Sequence, residues 1–228
     1  MRSLPLSLAL TLLATAAPAA AQLAHLPAMG SGDVIMPVTS MRQARVARTL
    51  LQKYDFSCGS AAVATLLTHH YGYPVTEQLV FEQMYMRGNR QKIHREGFSL
   101  LDMKNFLAAH GFQADGFEQP LDKLNEARVP AIVLINENGY HHFVVIKGVQ
   151  RDRVLIGDPA QGTRAMRREA FEAIWKNGLL FVIHNRMEKA RFNLAADWRV
   201  APRAPLGDGV NRDGMAGITL PKLGPGEF

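Results

Sequence analysis

Gln52-Lys53-Tyr54-Asp55-Phe56-Ser57-Cys58-Gly59-Ser60-Ala61-Ala62 holds the only cysteine of a 228-residue chain. Turn-forming and polar residues precede the sulfur, and small residues suited to close helix packing follow it. The pattern predicts a loop-to-helix junction at Cys58. The helix should run to about Tyr71 with Ala61, Ala62, Leu66 and Leu67 on its buried face, until Gly72-Tyr73-Pro74 stops it. A cysteine at such a start meets free backbone N–H groups and the positive end of the helix dipole, which favour a thiolate. Gly59 is expected to let a substrate backbone approach. Gln52, on the incoming loop, is placed to donate to an oxyanion forming beside the sulfur.

Upstream, Met1–Arg2, the apolar run Leu4–Ala16 and the small residues Ala17-Pro18-Ala19-Ala20-Ala21 have the order of a secretory signal peptide, residues 1–21. The run is shorter than the roughly 20 apolar residues that span a bilayer, so no stable membrane insertion is expected after cleavage. The protein is expected to be periplasmic or secreted. A lone cysteine in an oxidising compartment has no partner for an internal disulfide; it is either a reactive group or a buried structural thiol. Arg2 is the only charged residue of the leader, so its loss leaves 25 basic against 20 acidic side chains. The basic residues are dispersed, without interleaved aromatics, and nucleic-acid binding is not expected.

Past residue 42 the pattern falls into two halves. Helices are predicted over Met41–Gln52, from Cys58, over Thr76–Met86, and over Leu100–His110, the last opened by a Ser99/Asp102 capping box. From Pro130 the period changes. Ala131–Ile135, His142–Ile146, Arg153–Ile156, Arg164–Met166 and Leu179–Ile183 read as strands, with a turn at Asn136–Gly139 and a short helix at Arg168–Trp175. Helices first and strands afterwards make an α+β domain, 43–185, whose helical part packs on a mostly antiparallel sheet. An N-terminal extension, 22–42, precedes it. A loosely structured tail, 186–228, rich in proline and glycine near its end, follows.

A thiol nucleophile needs a base, and the base needs an orienting group. His141 and His142 open the third-quarter strand Tyr140-His141-His142-Phe143-Val144-Val145-Ile146. Neighbouring strand residues face opposite ways, so only one can face Cys58, and parity alone leaves open which. Asp158 ends the next strand in Gly157-Asp158-Pro159-Ala160-Gln161-Gly162, where a short hairpin would bring it beside the histidines. His69 and His70 are adjacent on a helix and diverge, unlike an i, i+4 zinc pair, and neither metal nor cofactor is expected. The basic run Arg87–Gly97 reads as a solvated loop, or as a rim steering an acidic peptide.

Gln-x5-Cys-Gly opening a helix, a later His-Phe-Val-Val strand and an Asp-Pro-x-x-Gly turn together resemble the bacteriocin-processing (double-glycine) peptidases over roughly residues 45–185. These are papain-like cysteine peptidases, often fused to peptide exporters. The resemblance implies a papain-like fold, with Cys58 as nucleophile, His142 as base, Asp158 as its orienter and Gln52 in the oxyanion hole. It implies a peptide or protein substrate cut after small residues such as Gly-Gly. The family commonly has Asp before the cysteine, where this chain has Ser57. With an export leader in front, the chain resembles the accessory peptidases of export systems, those of functional-amyloid systems among them. Its substrate is then an exported protein met outside the inner membrane, with export-system components as possible partners. The alternative is a non-catalytic binding module or chaperone on the same fold; a transglutaminase or amidase would use the same triad.

Overall fold

The computed structural model describes residues 22–27, 33–176 and 178–202. The leader, 1–21, and the tail beyond 202 lie outside the described residues. Contacts divide the chain between Ser40 and Met41. On the first side, β1 (Gln22–Pro27) and β2 (Asp33–Val38) pair antiparallel as a two-stranded sheet. By itself the second unit carries the helices and a six-stranded sheet.

Its helical half starts with α1 (Met41–Val46), shorter than expected. Thr49 to Gln52 leave the helix because their polar groups bond elsewhere: Leu50 N–H donates to Thr65 Oγ1 and Gln52 N–H to the Pro159 carbonyl. Next comes α2 (Cys58–Thr65), which continues through a π-helical turn, Leu66–His70, as one buried rod. The third helix, α3 (Glu77–Arg87), is capped by Thr76, whose hydroxyl accepts from Leu79 N–H. The run expected as a loop forms α4 (Arg90–Glu96), because Asn89 caps it and Ile93 anchors it in the core. The last of this half is α5 (Leu100–Ala109), with the Ser99/Asp102 capping box in place.

The sheet contains β3 (Ala114–Glu118), β4 (Ala131–Glu137), β5 (Tyr140–Val149), β6 (Arg153–Asp158), β7 (Gly162–Arg167) and β8 (Leu179–Ile183), in the order β3-β8-β4-β5-β6-β7 and antiparallel throughout. Short helices α6 (Asp122–Ala127) and α7 (Arg168–Ile174) lie between strands. Asn138 and Gly139, both at positive φ, make the two-residue turn joining β4 to β5.

β5 is apolar on both faces because both are covered. Phe143 and Val145 join the core built with Val63, Leu67, Met103 and Phe106 of the helical half. Val144 and Ile146 join a second core with Leu124 of α6 and Phe171 of α7. Lys147 is the extra residue of a β-bulge, since pairing with β6 shifts between Ile146 and Gly148.

The tail departs from expectation up to residue 202. Asn193 holds both Val149 backbone groups, at 3.0 and 3.1 Å, through its side-chain amide. The short helix α8 (Ala195–Trp198) then brings Asp197 to 2.7 Å from the fully buried Lys147 ammonium. A buried charge pair draws this segment in, and the tail's looser composition gave no sign of it.

Candidate active site

The turn before Cys58 is built by Ser57. Its hydroxyl donates to the Tyr54 carbonyl (3.0 Å) and accepts from the Tyr54 N–H (3.1 Å), while its own N–H also reaches that carbonyl. This buried, self-closing turn presents Cys58 as the first residue of α2, where backbone N–H groups lack intrahelical partners. Cys58 is buried as a residue, 7% exposed. Gly59 has a different task from the one expected. A Cβ there would stand 2.8 Å from Met103 Cε and 3.0 Å from Phe98 Cβ, so the glycine lets α2 seat on the helical core.

Of the two histidines, His141 is exposed and its Nε2 lies 2.9 Å from the Asn136 amide. His142 is buried, and its Nε2 lies 2.8 Å from Asp158 Oδ1. That bond leaves Nδ1, which has no hydrogen-bond partner among the described residues, for the sulfur. Burial pushes the His142 pKa down, but the hydrogen bond to Asp158, the charge of Asp158 and the nearby Cys58 outweigh it and lift the imidazole to about 9. The carboxylate beside it therefore favours the imidazolium form of His142.

Asp158 is held from three sides. Its Oδ1 also accepts from the Ala160 N–H (2.8 Å) and the Gln161 N–H (3.3 Å), and its Oδ2 accepts from Arg164 Nε (3.2 Å). Burial alone would raise its pKa; His142, the Ala160 N–H and Arg164 pull it below the usual carboxylate value. Arg164, on β7, is itself held by Glu137 at the end of β4, with Nη2 2.7 Å from Oε2. Glu137 and Arg164 escaped the sequence reading because neither belongs to a local motif. The period-2 placement of Arg164 opposite Ile156 of β6 was the one available sign.

Gln52 lies at the rim, half-buried. Its Nε2 reaches the Asp55 carbonyl at 3.5 Å, and its Oε1 is buried without a partner among the described residues. Its backbone bond to Pro159 ties the loop carrying it to the turn carrying Asp158. Tyr140 was also missed. Its hydroxyl donates to the Asp55 carbonyl (2.9 Å), and its ring lies 5.7 Å from that of His142. Burial, then the nearby Cys58, raises the Tyr140 pKa, which keeps the phenol a donor. A cleft of about 310 Å³ lined by Glu137, Tyr140, His142, Asp158 and Gln161 opens beside the imidazole.

The family model of peptidase C39 matches residues 47–187, which span all of these groups. The chain belongs to the peptidase C39 family. Among its C39 relatives is the probable functional amyloid protease FapD of Pseudomonas aeruginosa, 39% identical over 80% of each chain. The protein of the same name from Pseudomonas fluorescens is 39% identical over 75% of this chain and 76% of its own. The crystal structure of the peptidase domain of Streptococcus ComA shares the fold, with a TM-score of 0.50 at 23% identity, covering 60% of this chain and 97% of that one. The C39 protein is thus a cysteine peptidase with the papain-like arrangement of helices on an antiparallel sheet, and it acts on a peptide.

Proposed function

We propose that the protein is an endopeptidase that works outside the inner membrane through a Cys58–His142–Asp158 triad, with Gln52 in the oxyanion hole. The observation that carries this reading is the buried His142 ring, bonded to Asp158 on one nitrogen and coupled to Cys58. The Cys58 thiolate attacks a peptide carbonyl carbon and a C–S bond forms. Gln52 Nε2 and the backbone N–H of Cys58 stabilise the oxyanion. As the C–N bond breaks, imidazolium His142 gives its proton to the departing amine. Neutral His142 then takes a proton from water, the hydroxide releases the acyl group, and the thiolate is restored. No outside oxidant or cofactor enters the balance.

The likeness to FapD supports an exported substrate of the functional-amyloid kind, and the double-glycine resemblance supports small residues before the cut. Wild type, Cys58→Ala and His142→Ala proteins answer the central question. Wild type should be alkylated by iodoacetamide at pH 6, where an unactivated thiol is inert, and His142→Ala should not. Mass spectrometry of secreted peptides should show cleavages that vanish with Cys58→Ala. An inert wild-type thiol with no lost cleavages would replace the enzyme with a binding module.

A further inference from the structure

The catalytic cleft does not end at the Asp158 turn. Across Ala160 and Gln161 it adjoins a second groove of about 570 Å³ lined by Met41, Arg42, Arg45, Val46 and Leu51. Three of these are large apolar side chains standing in the open: Met41 is 52% exposed, Val46 43% and Leu51 44%. The groove is a built feature. Gly162, at φ +80°, has the Arg45 carbonyl oxygen 2.8 Å from where a Cβ would be, so α1 lies directly against the start of β7. Any side chain at 162 would push α1 off the sheet and open the groove's floor.

The chemistry of acyl transfer gives this groove a direction. A base protonates the departing amine, so the part of the substrate C-terminal to the cut lies on the imidazole's side of the sulfur. On that side stand His142, the Asp158 turn, Ala160 and Gln161, and the groove continues from them. We propose that the α1 groove binds the leaving side of the substrate, an extended segment with an apolar residue over Met41, Val46 and Leu51 and an acidic residue beside Arg42 and Arg45. This rests on the peptidase reading above and adds a selectivity beyond the cut itself. Small residues before the bond admit it to the sulfur, and an apolar-acidic segment after the bond holds it in register.

Two readouts on the full chain separate the proposal from the reading beneath it. In the first, a proteome-derived peptide library is digested and the residues following each cut are tabulated. Apolar residues and Asp or Glu should be enriched within the first four positions. Arg42→Glu/Arg45→Glu protein should instead enrich Lys and Arg there, with the residues before the cut unchanged. In the second, fluorescence anisotropy follows binding of a labelled peptide with an apolar-acidic block to the Cys58→Ala protein, which needs no turnover. Reversing both arginines should weaken binding about tenfold, the scale of two exposed ion pairs. A flat leaving-side profile, or preference and binding indifferent to the double reversal, overturns the groove while leaving the triad standing. If no library peptide is cut but the binding contrast holds, the leaving-side assignment falls with the triad reading, and the groove is a peptide-binding site without turnover.

Discussion

At the residue scale, the site is governed by how firmly one imidazole keeps its proton. Its pKa of about 9 is set by Asp158 and Cys58 against burial, so activity that needs imidazolium should fall on an alkaline limb near pH 9. Asp158→Asn removes the negative partner. The midpoint of that limb, read from kcat/KM against pH, should then move down toward the ordinary histidine value of about 6.5. The same raised pKa bears on folding. Folded His142 binds its proton more tightly than unfolded His142, so this stabilisation is fully present below about pH 6.5 and is lost as pH rises through about 9. The urea midpoint of wild type should therefore drop between pH 7 and 10 by more than that of His142→Gln. Arg164 gives a second case. Arg164→Ala leaves Asp158 Oδ2 without its cation, which should cost about tenfold in kcat with little change in KM, as the loss of one charged hydrogen bond predicts. Arg164→Lys, which restores the charge without the planar fork, should recover part of that loss. An unchanged kcat in Arg164→Ala would show that Asp158 is held well enough by the Ala160 and Gln161 amides.

At the scale of elements, the strands and most helices were legible because burial wrote them in a regular period. Leu179–Ile183 was read to the residue, and the Ser99/Asp102 capping box named the start of α5. Among the elements that were missed, three have a plain physical reason. β3 (Ala114–Glu118) is an edge strand that presents only Ala114 to the core, so it lacks alternating apolar residues. Helix α4 hides in a basic run because a single residue, Ile93, supplies its buried face. The tail docks through polar chemistry, with Asn193 on the β5 backbone and Asp197 on Lys147. The proposed quartet was legible as residue types in order, yet the choice between His141 and His142 lay beyond parity; the family resemblance supplied it, and the buried bond of His142 to Asp158 is consistent with it. The docked tail carries its own prediction. Lys147 and Asp197 are fully buried as side chains, and Arg48 and the hydroxyl of Thr163 complete the network. Asp197→Ala leaves a cation sealed in the core, which should cost about 3–5 kcal/mol in urea unfolding. Lys147→Met with Asp197→Leu, which removes both charges, should recover most of it. If the single and double variants unfold alike, the pair contributes nothing by being charged.

For the molecule as a whole, the chain has one cysteine, so no internal disulfide braces the fold. Two apolar cores, one on each face of β5, do that work instead. Thermal unfolding of the full chain should accordingly be indifferent to dithiothreitol, and a midpoint that shifts with reductant would point to intermolecular pairing through Cys58. The groove along α1 and the cleft beside His142 share Ala160 and Gln161, whose backbone N–H groups also donate to Asp158, so a peptide seated in the groove should perturb the turn that holds this carboxylate. The bond from the Gln52 N–H to the Pro159 carbonyl has a further consequence. It stitches the loop between α1 and α2 to the turn between β6 and β7, across the seam between the helical half and the sheet. Warming that loosens this stitch displaces Gln52 and the Asp158 carboxylate together, so inactivation should come as one abrupt step and run ahead of the collapse of the cores.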